Sequence, residues 1–235
     1  SKGLGVSEGA VVVLDSRNGG ILAIAGGRDY RQSQFNRASM ALRQPGSTFK
    51  LFTYLAALDK GLRPSDAVSC SPLRWRGQTF SSTCGGSLSL TSAFAGSSNT
   101  AALRLAQRVG LDAVVQKARD LGITTALAPV PGLALGQSEV TLLELTSAYA
   151  AVANDGIWHS PTTIRRLTDA ETCKGQSAAS CRQNAAAGQA TSNPGRTVMK
   201  PAIARDMQRL MRAVVRSGTG QAADLGGEEG GKTGT

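Results

Sequence analysis

Arg43-Gln44-Pro45-Gly46-Ser47-Thr48-Phe49-Lys50 runs on as Leu51-Phe52-Thr53-Tyr54-Leu55-Ala56-Ala57-Leu58 and halts at Gly61. Pro45 and Gly46 interrupt whatever precedes them, and a glycine such as Gly61 ends helices, so the stretch between reads as a helix that begins at Ser47. It is apolar on nearly every side, which predicts burial. A hydroxyl nevertheless stands at its N-terminus, and an amine follows three residues later. Positions i and i+3 share a helix face, so Ser47 and Lys50 are expected to touch where a buried helix normally excludes lysine. That misfit makes the pair a candidate site.

Upstream, Gly9 to Asp15 and Gly20 to Ala25 are apolar, β-branched runs separated by Ser16-Arg17-Asn18-Gly19. Asn-Gly between such runs predicts an antiparallel hairpin. Residues 26–40 read as polar loop. Downstream, Gly61 to Leu90 holds Pro64, Pro72, Gly77, Gly85 and Gly86 without helical periodicity, and reads as a long loop with at most one short hairpin. Helical patterns follow at Thr91–Phe94, at Asn99–Val109 before Gly110, at Ala113–Leu121 with Asp112 as cap, and at Glu139–Ala153 with Ser138 as cap. Thr162 to Ile164 reads as a strand. Residues 169–196 are poor in hydrophobics and read as a flexible excursion. Pro201 opens a last helix that Gly218 closes, with Ile203, Met207, Leu210, Met211, Val214 and Val215 as its buried stripe. Strands at both ends and helices between predict an α+β fold. Its first and last strands would share one antiparallel sheet flanked by helices. The sheet parts cover about 1–45 and 157–235, a mostly helical second lobe covers about 46–156, and the site lies in the crevice between them.

A chain of 235 residues, 41% hydrophobic and 4% aromatic, can build a real core. Its formal charge of +10 suits an anionic partner, but reads first as a solvated basic surface. The cations are scattered, however, and no basic run with interleaved aromatics appears, so no nucleic-acid partner is expected. No apolar run approaches the roughly 20 residues that span a bilayer, and no signal peptide opens the chain. Ser1-Lys2-Gly3 reads as the start of a mature fragment or excised domain. Any membrane attachment would need an anchor absent from this chain. The four cysteines form two local pairs, Cys70 with Cys84 and Cys173 with Cys181, in Ser-rich, loop-like sequence. Without a C-x-x-C and with His159 as the one histidine, zinc is the weaker reading and no metal or cofactor is expected. Two disulfides imply an oxidising compartment. His159 itself reads as a surface or edge residue.

Three short motifs stand in order. Ser47-Thr48-Phe49-Lys50 is Ser-x-x-Lys, Ser97-Ser98-Asn99 is Ser-x-Asn where a loop enters a helix, and Lys232-Thr233-Gly234 is Lys-Thr-Gly. A second Ser-x-Asn, Ser16-Arg17-Asn18, belongs to the hairpin turn. Each motif alone is weak; the ordered set is specific to penicillin-binding proteins and class A β-lactamases. The flanks Phe35-Asn36-Arg37-Ala38, Arg43-Gln44-Pro45-Gly46, Leu135-Gly136-Gln137-Ser138-Glu139-Val140-Thr141 and Ser217-Gly218-Thr219-Gly220 make the chain resemble the transpeptidase domain of a class A penicillin-binding protein. The resemblance covers nearly the whole chain apart from the two cysteine-bearing excursions, and it implies a β-lactamase/transpeptidase-like fold.

Residue chemistry agrees with the resemblance. A serine hydroxyl needs a base, and no motif surrounds the one histidine. Lys50 can serve if neutral. Burial beside Phe49 and Phe52, the positive end of its own helix and a second cation, Lys232, all push its pKa down. The resemblance implies that Ser97 relays protons and that Asn99 holds the substrate backbone. It also implies that Lys232, Thr233, Gly234 and Thr235 grip a substrate carboxylate, and that the N–H groups of Ser47 and Thr235 form an oxyanion hole. The implied activity is a peptidoglycan D-Ala-D-Ala transpeptidase working through a Ser47 acyl-enzyme. Its partners would be stem peptides, the lipid-linked precursor and inhibitory β-lactams, at the periplasmic or extracytoplasmic face of a bacterial inner membrane.

Rival readings are a β-lactam sensor domain, a class A β-lactamase, a class B enzyme and a DD-carboxypeptidase or endopeptidase. A β-lactamase needs a water-activating carboxylate, usually in E-x-x-x-N, and neither Glu139 nor Glu144 has the Asn. The Arg-Gln before Pro45-Gly46 disfavours the class B enzyme. No glycosyltransferase signature lies in this chain. The chain stops at Thr235 on the motif itself, whereas the family continues with further strands and a terminal helix. The resemblance therefore implies C-terminal truncation and a fragment of low stability.

Overall fold

The structure, a computed structural model, describes residues 8–164, 174–175, 177, 180 and 193–234. Strands β1 (Val11–Asp15) and β2 (Gly20–Ala25) form the expected hairpin, antiparallel with a register shift between Val13 and Leu14. Asp15 organises the turn, its carboxylate accepting from the Arg17 and Asn18 side chains, and Gly19 takes φ of +74°. Within the stretch expected to be loop up to Met40, Asn36 accepts from Ala38 N at 3.0 Å and so caps a short helix, α1 (Arg37–Met40). Four residues carry too little periodicity to show in the sequence, although the Asn cap was there to read.

The helix anticipated from Ser47 opens as a 3-10 turn, Gly46–Phe49, and becomes α-helical at Lys50 as α2 (Lys50–Asp59). Every residue from Lys50 to Leu58 is buried. Gly61, at φ +89°, ends it in a paired cap: Leu62 N donates to Ala57 O and Gly61 N to Leu58 O. After α2 come the short strands β3 (Ala67–Ser69), β4 (Leu73–Trp75), β5 (Gln78–Phe80) and β6 (Ser87–Ser89). Helices α3 (Leu90–Ala95), α4 (Asn99–Val109) and α5 (Leu111–Asp120) follow, then a 3-10 turn Pro131–Leu135 and α6 (Leu142–Ala153). Strands β7 (Ile157–Trp158) and β8 (Arg196–Thr197) precede α7 (Pro201–Ser217). α2 packs against α4, α5 and α7, and α7 also covers α3 and α6. Phe49 and Phe52 lie tilted with ring centroids 4.6 Å apart, and Tyr54 meets Phe94 edge-on at 4.9 Å. Burying such rings stabilises the core by about 1.5–3 kcal/mol each.

The α+β class and antiparallel pairing stand, but the single shared sheet does not. Among the described residues strand pairing is confined to four two-stranded ladders. The later chain reaches the hairpin through a bridge between Gly20 and Thr162, not through a strand at Thr162–Ile164. Residues 231–234 form no ladder. They are held by Gly231 N on Met211 O and by side chains, so helix contacts replace strand pairing there. The loop read over Gly61–Leu90 contains two antiparallel pairs, β3 with β6 and β4 with β5, each strand too short for period-2 alternation to register. Cys70 and Cys84 are bonded as expected, with Cα atoms 5.5 Å apart. The pair Cys173–Cys181 and most of the excursion over 169–196 lie outside the described residues.

Two helix starts shift. α5 begins at Leu111 behind Gly110, whose φ of +87° turns the chain, and Asp112 sits in the first turn. α6 begins at Leu142, because Thr141 and not Ser138 is the cap: Thr141 Oγ1 accepts from Glu144 N, and the Glu144 carboxylate accepts from Thr141 N. Ser138 instead accepts from Ala128 N. We predict that Thr141→Ala lowers the unfolding free energy by about 1 kcal/mol, read as a lower urea midpoint at unchanged slope. An unshifted midpoint would show that the reciprocal cap contributes nothing.

Candidate active site

The 3-10 turn at Gly46–Phe49 is clamped from outside. Arg43 and Val140 exchange N–H···O bonds of 3.1 and 3.0 Å, and Gly46 N donates to Gly136 O at 3.4 Å. Gly136 has φ of +78°, and a Cβ there would lie 2.2 Å from Gly46 O, so the approach admits only glycine. On the inner side, Tyr149 of α6 donates its hydroxyl to Thr48 O at 2.9 Å. In a 3-10 turn residues three apart eclipse, which puts half-buried Ser47 and fully buried Lys50 on one side.

Lys50 Nζ donates to Ser97 O at 2.6 Å and to Asn99 Oδ1 at 2.6 Å, and it lies 3.1 Å from Ser97 Oγ. The first two partners can only accept. A neutral amine has two N–H bonds and one lone pair, so both hydrogens are used there and the lone pair faces the Ser97 hydroxyl. Ser97 Oγ also accepts from Lys232 Nζ at 2.9 Å. The three side chains thus form a line along which a proton can pass. Ser47 is not bonded to Lys50, because Ser97 and Asn99 occupy the amine. Among the described residues its hydroxyl has no hydrogen-bond partner.

Ser97 is held in an unusual conformation. α3 ends in a paired cap in which Ser98 N donates to Ala93 O and Ser97 N to Phe94 O. The left-handed position of such a cap ordinarily belongs to glycine, yet here it is Ser97, at φ +55°, one residue past Gly96. A side chain in that region is strained by about 1–2 kcal/mol. The turn aims both the carbonyl and the hydroxyl of Ser97 at Lys50.

The last described segment closes the site. Lys232 Nζ lies 5.7 Å from the Phe94 ring centroid, a cation–π arrangement. Thr233 and Thr219 hydroxyls are 2.6 Å apart, and Thr219 N donates to Ala95 O. A Cβ on Gly234 would stand 3.1 Å from Thr48 Cγ2 and 3.2 Å from Pro45 O, so this segment runs beside the Ser47 turn. Burial, reinforced by the Lys232 charge, pushes the Lys50 pKa down to about 7, and burial pushes Lys232 down to about 8. Both lysines can therefore lose a proton near neutral pH.

The structure brings Lys50, Ser97, Asn99 and Lys232 together, places Thr233 against Thr219 and Gly234 beside the Ser47 turn, and does not bond Ser47 to Lys50. Thr235 lies outside the described residues, and with it half of the expected oxyanion hole. Cys84 lines the adjoining groove. Sequence reading missed the roles of Tyr149, Gly136, Thr219 and Phe94. Tyr149 carried a signal: a tyrosine on an apolar helix face needs a partner for its hydroxyl. Among the described residues no cluster of three or more His, Cys, Asp or Glu could hold a metal ion.

The family model described as penicillin binding protein transpeptidase domain matches residues 9–235. Penicillin-binding protein 1A of Neisseria lactamica is 34% identical over 241 residues, covering 97% of this chain and 29% of that protein. Penicillin-binding protein 1A of Aquifex aeolicus is 40% identical over 171 residues, covering 69% of this chain and 23% of that protein. The chain thus spans less than a third of the length of these relatives. A solved peptidoglycan glycosyltransferase from Burkholderia ambifaria superposes with a TM-score of 0.77 at 25% identity, over 97% of this chain and 73% of that one. PonA1 from Mycobacterium tuberculosis, solved in complex with penicillin V, gives 0.72 at 26% identity over 89% and 57%.

The left-handed Ser97 makes a reversal of ordinary helix-end preferences testable. Ser97→Gly and Ser97→Ala both remove the hydroxyl, and only glycine relaxes the backbone. We predict that Ser97→Gly is the more stable by about 1 kcal/mol in chemical denaturation. Equal stabilities, or a more stable alanine variant, would contradict the strain at this position.

Proposed function

The chain belongs to the penicillin-binding protein transpeptidase domain family, and from that membership and the Lys50–Ser97–Lys232 line we propose that it is a serine-type D-Ala-D-Ala transpeptidase of bacterial cell-wall synthesis. Ser47 Oγ attacks the carbonyl carbon of the penultimate D-Ala of a peptidoglycan stem, and its hydroxyl proton goes to neutral Lys50, whose lone pair turns from Ser97 Oγ to Ser47 for this step. The tetrahedral intermediate collapses, the peptide C–N bond breaks, and the departing D-Ala amine receives its proton through Ser97. An amine from a neighbouring stem then attacks the ester on Ser47 and passes a proton to Lys50; the C–O bond to Ser47 breaks as the cross-link forms, and Ser47 Oγ takes the proton back. Lys232, Thr233 and Thr235 hold the terminal carboxylate, Gly234 keeps that segment close to the Ser47 turn, and Asn99 holds the stem backbone. A β-lactam follows the first step, but its leaving nitrogen stays tethered, so the acyl-enzyme persists.

The observation that carries this reading is the pair of lysines sharing Ser97 Oγ, at 3.1 and 2.9 Å. A second observation supports transfer over β-lactam hydrolysis. Glu144 is committed to Thr141 and Thr124, with hydrogen bonds that hold its carboxyl low against the opposing push of burial. Glu139 is exposed. Among the described residues no carboxylate is bonded to Ser47, Lys50, Ser97 or Lys232. We place the activity at the outer face of a bacterial cytoplasmic membrane, on stem peptides of the lipid-linked precursor. Among the described residues no helix is long and apolar enough to cross a membrane.

Labelling of the intact protein with a fluorescent penicillin tests the proposal. Ser47→Ala is expected to abolish covalent labelling, and Lys50→Ala to slow acylation at least about a hundredfold. Equal labelling of wild type and Ser47→Ala would refute it.

A further inference from the structure

Beside the site lies a groove of about 510 Å³, within the roughly 300–1,000 Å³ usual for ligand clefts. One wall is the turn from α3 into α4, with Ser97, Ser98 and Asn99; the other is the segment carrying Ser82, Thr83 and Cys84. No charged side chain lines it. Hydroxyls and an amide without charge suit a neutral chain of alternating donors and acceptors, which is a peptide backbone.

The second wall has little of its own to hold it. After Phe80 at the end of β5 the chain has no strand partner until Ser87, and Gly85 and Gly86 follow Cys84 with open space around them. Local bonds from Cys84 N to Ser82 Oγ and from Gly86 N to Ser71 Oγ shape the turn. The covalent tie is the disulfide to Cys70. Cys70 is fully buried, its N donates to Gly86 O, and its carbonyl accepts from the Thr100 hydroxyl at 2.7 Å. Thr100 follows Asn99 on α4. The disulfide therefore links one wall to the base of the other across a sequence separation of 14.

We propose that the Cys70–Cys84 disulfide is a positioning element for substrate. It fixes the 81–84 segment as the wall of a subsite that takes the uncharged, amide-rich stretch of a peptide substrate beyond Ser97 and Asn99. The proposal rests on the transpeptidase reading, because the peptide must be the one presented to Ser47. Breaking the disulfide would leave the acylating line from Lys50 to Lys232 in place and release the wall, so the loss falls on substrates long enough to reach it.

Two penicillin nuclei test it, one carrying an N-formyl group and one an N-acetylglycylglycyl chain, each timed by its covalent adduct on the intact protein. In Cys70→Ser/Cys84→Ser the ratio of acylation rate constants, long over short, is expected to fall about fivefold, the scale of one or two lost neutral hydrogen bonds. Thr83→Val with the disulfide intact should lower the same ratio, and it decides the matter if the double variant does not fold. A ratio that holds in the folded variants, or two rate constants that fall in parallel, would overturn the proposal while leaving Ser47 acylation standing. Absence of any adduct on Ser47 in the oxidised wild type would overturn the transpeptidase reading and this proposal with it.

Discussion

The structure depends on one buried amine. Lys50 begins a helix whose residues up to Leu58 are all buried, and its Nζ is enclosed by Ser97 O, Ser97 Oγ and Asn99 Oδ1. An ammonium in that place is penalised twice, by lost hydration and by the Lys232 charge. The three contacts offset part of the penalty and, once the proton is lost, leave two hydrogens on pure acceptors and a lone pair on a hydroxyl. A core helix thereby carries an amine that can lose its proton near pH 7.

The rest of the fold keeps that amine and Ser47 in register. The Ser47 turn is pressed between the Gly136 backbone and the Tyr149 hydroxyl, so it cannot shift without breaking either. The Ser97 backbone sits where glycine would be relaxed, with its strain sustained by the cap of α3 and by the packing of α7 over α3. Lys232 arrives on a segment tied to α7 at Met211 and to the Ser217–Gly220 stretch through Thr219. Core packing and the geometry of the candidate site are thus the same set of contacts viewed from two sides.

Much of this was legible in the sequence, and the reasons are local. Asn99–Val109 and Pro201–Ser217 are bounded by Gly110, Pro201 and Gly218, and glycine and proline speak through their own backbone restrictions. Ser47, Lys50, Ser97, Asn99 and Lys232 were legible as ordered motifs. What stayed hidden depends on contacts distant in sequence. The Tyr149–Thr48 bond spans 101 residues, and nothing near either residue announces it. Ser138 and Asp112 look like caps, and only the fold shows that Thr141 and Gly110 stand at the helix starts. Gly96 resembles the residue that ends α3, which masks the left-handed role of Ser97. The strands between Gly61 and Leu90 are three residues each, shorter than the alternation that would reveal them.

The role of Lys50 as the base is tested by the pH dependence of acylation by a penicillin, in wild type and in Lys232→Met. The deprotonated fraction of Lys50 rises with pH through its value of about 7, so the wild-type rate constant should climb up to that point and level above it. At pH 7 Lys232, pushed down to about 8, is still mainly charged and holds Lys50 low. Removing that charge removes one of the two causes of the depression. The inflection is expected to move to higher pH in Lys232→Met, whatever the loss in absolute rate. An inflection that stays in place or moves lower would contradict Lys50 as the base.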